Sequence, residues 1–213
     1  MTQPNNRRAG RPARSGRRAG ASGTRPAILD SARRQFADHG YAGATIRAIA
    51  SGAGVDPALV HHYYGNKERL FAAAMELPIV PGETISEILS NVAQEPGQSV
   101  GEQMVRSALA MWERPDVQGA FRAQLRSALT SEQAAVTLRE YIAEAILQPV
   151  ATVASGTDPE RTPFRAALVG SQMLGLALTR YMLQVGPIAA ASPEELAAAI
   201  GPTIDRYLTG DVG

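Results

Sequence analysis

Cysteine is absent from the 213 residues, which excludes disulfides, thiolate metal sites and a cysteine nucleophile together. That absence fits a reducing compartment, and a cytoplasmic location is expected. Lys67 is the only lysine, so arginine carries nearly all the positive charge. Aromatic residues make up 5% of the chain while alanine abounds, a composition suited to closely packed helices. The most apolar stretch, residues 165–185, is interrupted by Ser171, Gln172 and Arg180 and leaves no run long enough to cross a bilayer.

Signatures of catalysis are missing as well. There is no Walker loop, no dinucleotide fingerprint after a strand, no His-Glu-x-x-His pair and no Gly-x-Ser-x-Gly elbow. The only histidines are His39, His61 and His62. On a helix the adjacent pair points about 100° apart, which disfavours a shared metal ion. No enzyme activity, cofactor or metal is therefore expected.

What the chain does have is a charge asymmetry beneath its net charge of +1. Residues 1–71 carry twelve Arg and Lys against Asp30, Asp38, Asp56 and Glu68, a balance of +8. Residues 72–213 carry nine Arg against sixteen Asp and Glu, a balance of −7. A basic third joined to an acidic remainder implies one part that meets a polyanion and one that does not.

Within the basic third, residues 44–67 have the spacing of a helix-turn-helix. Ala50 is small where two steeply crossing helices touch, and Gly54 follows where the chain must leave the first helix through a left-handed conformation. Asp56-Pro57 then opens a second helix, Asp56 as cap and Pro57 at the first helical position. Ile49, Ala53, Val55 and Val60 are expected to share one small core. Gly52, late in the first helix, costs about 1 kcal/mol against alanine. An ordinary αα-hairpin is the alternative for this window alone.

Upstream, residues 1–23 hold six arginines among Gly, Pro, Ser and Ala with no acid, and read as a flexible arm. It is either a solubilising tail or an arm that touches DNA; Gly10-Arg11-Pro12 faintly resembles an AT-hook core, which lies in the minor groove. A helix is expected over 24–39, with Ile28, Leu29, Ala32 and Phe36 facing inward and Gly40 ending it. Asn66 caps a further helix from Lys67, and residues 77–82, with Pro78 and Pro81, read as a linker.

Downstream the pattern is helical throughout. One helix carries Ile85, Ile88, Leu89 and Val92 and stops at Pro96-Gly97. Another opens on a Ser99–Glu102 capping box and buries Met104, Val105, Leu109 and Trp112. Phe121, Leu125 and Leu129 mark a third. Residues 131–154 form a long one, bent or broken near Pro149. Residues 165–185 follow, and Ser192 opens the last helix, which ends near Gly210. Met104, Met111, Trp112, Phe121, Tyr141 and Met173 are either plain core or the lining of an apolar ligand chamber.

Thr45-Ile46-Arg47-Ala48-Ile49-Ala50, Ala53-Gly54-Val55 and His62-Tyr63-Tyr64-Gly65-Asn66-Lys67-Glu68-Arg69-Leu70-Phe71 together resemble the DNA-binding region of the TetR family of transcriptional repressors. The likeness runs over about residues 25–72, with Leu59 where threonine is common and His61 where tyrosine is common. It implies that Thr45, Tyr63 and Lys67 hold phosphates, and it lifts the ligand chamber above the plain-core alternative. Helix geometry places Arg47, Pro57, Ala58, Leu59, His61 and His62 toward the groove, where they could reach base edges or phosphates.

The expectation is an all-α protein: an arm over 1–23, a helix-turn-helix domain over 24–76, and a helical regulatory and dimerisation domain over 77–213. It is expected to bind a palindromic operator in double-stranded DNA as a homodimer paired through helices near 165–185 and 193–208. A small apolar effector would release it, and it would not enter a membrane. A helical enzyme with a scaffold helix-turn-helix, or an architectural DNA binder without ligand, are the rival classes.

Overall fold

The computed structural model describes residues 21–94, 99–154 and 159–212. The arginines of the arm up to residue 20 and the stop at Pro96-Gly97 lie outside the described residues. Among those described, every regular element is helical.

Four helices build the N-terminal unit: α1 (Ala21–Gly43), α2 (Ile46–Ala53), α3 (Pro57–Tyr64) and α4 (Lys67–Ala74). Gly40 breaks α1 as expected, at φ 74 and ψ −177, leaving one detached turn that carries Tyr41. Ile28, Ala32 and Phe36 of α1 are fully buried with Ile49, Val60, Leu70 and Phe71. Burial of each large apolar side chain here contributes about 1.5–3 kcal/mol. Ala53 and Val55 only border this core. Two residues from the far half of the chain, Tyr141 and Ala145, complete it.

The body comprises α5 (Pro81–Gln94), α6 (Val100–Trp112), α7 (Pro115–Thr130), α8 (Glu132–Tyr141), α9 (Gln148–Val153), α10 (Thr162–Ala177), α11 (Gly186–Ala190) and α12 (Pro193–Thr209). Val105, Leu109, Val169, Ile204 and Leu208 centre its core. Asp205 ties α12 to the start of α6, accepting from Ser99 Oγ at 2.6 Å and from Gly101 N at 2.7 Å.

Several expectations shift in detail. Pro81 and Gly82 belong to the first turn of α5, so the connection is shorter than residues 77–82. Ser99 caps α6 through Glu102 N, but the Glu102 carboxylate pairs with Arg106 instead of closing the box. Ser192 and Glu195 do form a full capping box at α12. Leu129 is 79% exposed, because it lies on the outer face of α7's last turn. The bend near Pro149 is a π-helical stretch, Ile142–Leu147, between α8 and α9. Proline has no N–H to bond four residues back, and a widened turn just before it relieves the mismatch.

Candidate nucleic-acid interface and apolar cavity

The helix-turn-helix is assembled by local bonds. Thr45 Oγ1 accepts from Ala48 N at 3.1 Å and caps α2. Gly54 leaves α2 in the left-handed region, at φ 67 and ψ 32. Asp56 Oδ1 accepts from Ala58 N at 2.8 Å and starts α3 with Pro57 in its first turn. Gly52 has a role beyond its helical cost. Ser31 Oγ of α1 donates to Ile49 O at 2.8 Å, and a Cβ on Gly52 would stand 2.5 Å from that hydroxyl. Only glycine lets α1 and α2 approach this closely without moving Ser31.

The outer face of this unit presents Thr45, Arg47, Ala58, Leu59, His61 and His62, all exposed, with Pro57 and Tyr63 half-buried beside them. Tyr64 turns inward, 6% exposed, and its hydroxyl donates to Arg25 O. His61 Nδ1 lies 2.9 Å from Gly65 O. A carbonyl can only accept, so Nδ1 carries the proton and Nε2 is left as an acceptor in the neutral ring. His62 sits edge-on to the Tyr63 ring. Lys67 departs from the expected pose: its ammonium donates to Ala42 O at 3.3 Å and lies 4.4 Å above the Tyr41 ring, folded back on α1.

Inside the body is a cavity of about 420 Å³. All six expected residues, Met104, Met111, Trp112, Phe121, Tyr141 and Met173, line it. Sequence reasoning missed Phe71 of α4, the connector residues Leu77, Pro78 and Ile79, and the polar Gln124 and Ser171. Their apolar spacing was visible, but nothing local announces that residues so far apart face one space. Among the described residues no Asp, Glu, Lys, Arg or His belongs to the lining.

Phe71 and Tyr141 line the cavity and also belong to the core of the helix-turn-helix unit. Their rings stack at 4.5 Å, and Tyr41 packs edge-on against both. Around them the two regions are tied by Glu140 Oε2 accepting from Ala42 N, Thr137 Oγ1 donating to Phe36 O, and Gln124 Nε2 donating to Met75 O. The Tyr141 hydroxyl is buried with no hydrogen bond of good geometry, and burial with the nearby Glu68 carboxylate pushes its pKa well up. Tyr41 is pushed up to about 12, chiefly by burial and then by Glu68 and Glu144. Burial raises Glu68 too, opposed by the bond it accepts from Gly82 N at 2.9 Å.

On the two helices expected to pair between copies, Phe164 and Leu174 of α10 are 50% and 40% exposed. Ala198 and Ala199 of α12 are exposed as well. Leu176, Ala177 and Ala197, on the same two helices, are buried in the protomer's own core. Helical phase explains the difference: two residues along α10 rotate a side chain by about 200°, from outer to inner face.

Among the described residues no helix is long and apolar enough to cross a membrane, and no cluster of three metal-ligating side chains occurs. A capped helix pair with an exposed second helix, set on a helical body that holds an apolar cavity, defines a helix-turn-helix regulator. Residues 28–74 match the bacterial regulatory proteins of the tetR family, and residues 98–208 match the tetracyclin repressor-like C-terminal domain. The chain belongs to the TetR family of transcriptional regulators.

Over 65 residues it is 45% identical to the HTH-type transcriptional repressor AcnR of Corynebacterium efficiens, covering 30% of this chain and 35% of that one. Over 51 residues it is 47% identical to the HTH-type transcriptional regulator BetI of Rhizobium meliloti, covering 24% and 25%. The matched region thus spans about a third or less of these curated relatives. A solved TetR-family regulator from Streptomyces coelicolor A3 is 34% identical, covering 91% of this chain and 98% of that one, with a TM-score of 0.49.

Proposed function

We propose that this chain is a cytoplasmic, sequence-specific DNA-binding repressor without enzyme activity, which works as a homodimer and is released by a mostly apolar small molecule. Residues 24–76 read the operator, and residues 77–213 dimerise and hold the effector. The observation that carries the reading is the sharing of Phe71 and Tyr141 between the cavity wall and the core beneath the recognition helix.

The DNA-reading face is Thr45, Arg47, Pro57, Ala58, Leu59, His61, His62 and Tyr63. Arg47 can fork onto a guanine edge, Ala58 and Leu59 can meet a thymine methyl, and Thr45 and Tyr63 hold phosphates. Lys67 joins them after leaving its perch over Tyr41, a move that gives up only an exposed hydrogen bond and a cation–π contact. One recognition helix reads few bases. A two-fold dimer through the exposed faces of α10 and α12 sets two such helices about 34–36 Å apart on a palindromic site.

Release follows from packing. An effector among Met104, Met111, Trp112, Phe121, Tyr141 and Met173 presses directly on Phe71 and so on α4, which carries the helix-turn-helix. It favours release only to the extent that it binds better where the two recognition helices are wrongly spaced. Selection of bound duplexes from a random pool tests the reading: a palindromic consensus with half-sites one turn apart is expected. Recovery of DNA with no shared sequence would leave only a non-specific binder.

A further inference from the structure

The effector proposal leaves open what chemistry the chamber selects, and its few polar atoms narrow this. Resting on the reading of that chamber as an effector site, we propose that Gln124 is its specificity-determining residue: its Oε1 accepts a hydrogen bond from a neutral hydroxyl on an otherwise apolar ligand.

The orientation of the Gln124 amide is fixed by its neighbour on α4. Its Nε2 lies 3.1 Å from Met75 O. Met75 O can only accept, so the nitrogen must face α4 and the oxygen is the atom left over. Among the described residues no group donates to that oxygen, and it is not among the sealed, unpaired atoms of the interior. Gln124 itself lines the cavity and is half-buried there. An accessible amide oxygen in an apolar chamber is a point of recognition, because a ligand that pairs with it gains a bond in a weakly polar setting.

The other polar lining groups do not compete for this role. Ser171 Oγ spends its hydrogen on Leu168 O at 2.8 Å. The Tyr141 hydroxyl is sealed from the cavity, so that residue offers only its ring. Trp112 brings an indole N–H, which can only donate. A hydroxyl suits this set, since it donates to Gln124 and keeps lone pairs for a donor such as Trp112. An ionised ligand does not suit it: among the described residues no side chain of opposite charge lines the cavity, and an unpaired buried charge is strongly disfavoured. Gln124 also holds Met75, the residue that caps α4. The group that reads the ligand therefore touches the end of the helix that carries the DNA-binding unit.

Titration calorimetry on the full chain tests this with three probes: para-hexylphenol, its methyl ether, and para-hexylbenzoate. The wild type should bind the phenol roughly tenfold tighter than the ether, the worth of one hydrogen bond, and should reject the benzoate. Gln124→Leu should bind phenol and ether alike. The wild-type comparison stands even if that variant folds poorly, and a thermal melt reports whether it does. Equal binding of phenol and ether by the wild type, or a preference that survives in Gln124→Leu, overturns the role of Gln124 and leaves the chamber intact. Failure of both neutral probes to bind overturns the effector-site reading itself.

Discussion

The DNA-reading unit and the cavity-bearing body are both helical, yet they are put together on different length scales. In the first, the decisive bonds join near neighbours: Thr45 to Ala48, Asp56 to Ala58, Asn66 to Arg69. In the second, the cavity wall takes side chains from Phe71 to Ala177. The first presents its chemistry outward on short capped helices, and the second hides it in an interior that only the folded chain creates. The two meet at Tyr41, Phe71 and Tyr141, where one aromatic cluster serves both. A shared core of this kind would let the surface that reads DNA respond to what fills the interior, as proposed above.

Breaking the body's outer face should have the largest effect. Phe164→Glu places a charge on the exposed stripe of α10, outside the cavity lining and away from the protomer's own core, so the fold should persist while the dimer is lost. Sedimentation should show a monomer, with operator affinity down at least a hundredfold because two half-sites are no longer read together. An unchanged dimer would move the interface elsewhere on the molecule.

Arg47→Ala acts on the other region and should be smaller. A lost bidentate contact to guanine costs about 1–3 kcal/mol and relaxes preference at one base position. Competition assays with single-base operator variants measure both. A uniform loss across all variants would make Arg47 a phosphate contact instead.

The smallest effect concerns the seam between α1 and α2. Gly52→Ala should destabilise the chain by about 1 kcal/mol, because the new methyl displaces the Ser31 hydroxyl from Ile49 O and that loss outweighs the helix propensity gained. In a Ser31→Ala background the same change should become neutral or stabilising. Urea melts of the four proteins complete the cycle, and additive effects would show that Ser31 is not the obstacle.

These same residues show how far the sequence could be read. Gly54, Asp56 and Pro57 announced the turn because capping and left-handed backbone are decided within a few residues. Gly52 looked like a defect, since its reason lies in Ser31, on another helix. The six chamber residues were recognisable as a set of soft and aromatic side chains. Gln124 was not, because an amide on a helix becomes informative only when Met75 is seen to occupy its nitrogen. Nor could the outer face of α10 be read: Leu176 is buried, and a helix apolar nearly all round does not reveal its phase.

The chamber and the DNA-reading face are proposed to form one coupled system. The most direct test is to titrate the tightest-binding molecule from an apolar library into the free protein and into the protein saturated with operator, following Trp112 fluorescence. Coupling of about 1–3 kcal/mol predicts binding weaker by roughly 5- to 150-fold in the operator complex, with an equal loss of operator affinity in the ligand complex. Identical affinity in the two titrations would contradict the claim and make the chamber a binding site without a switch.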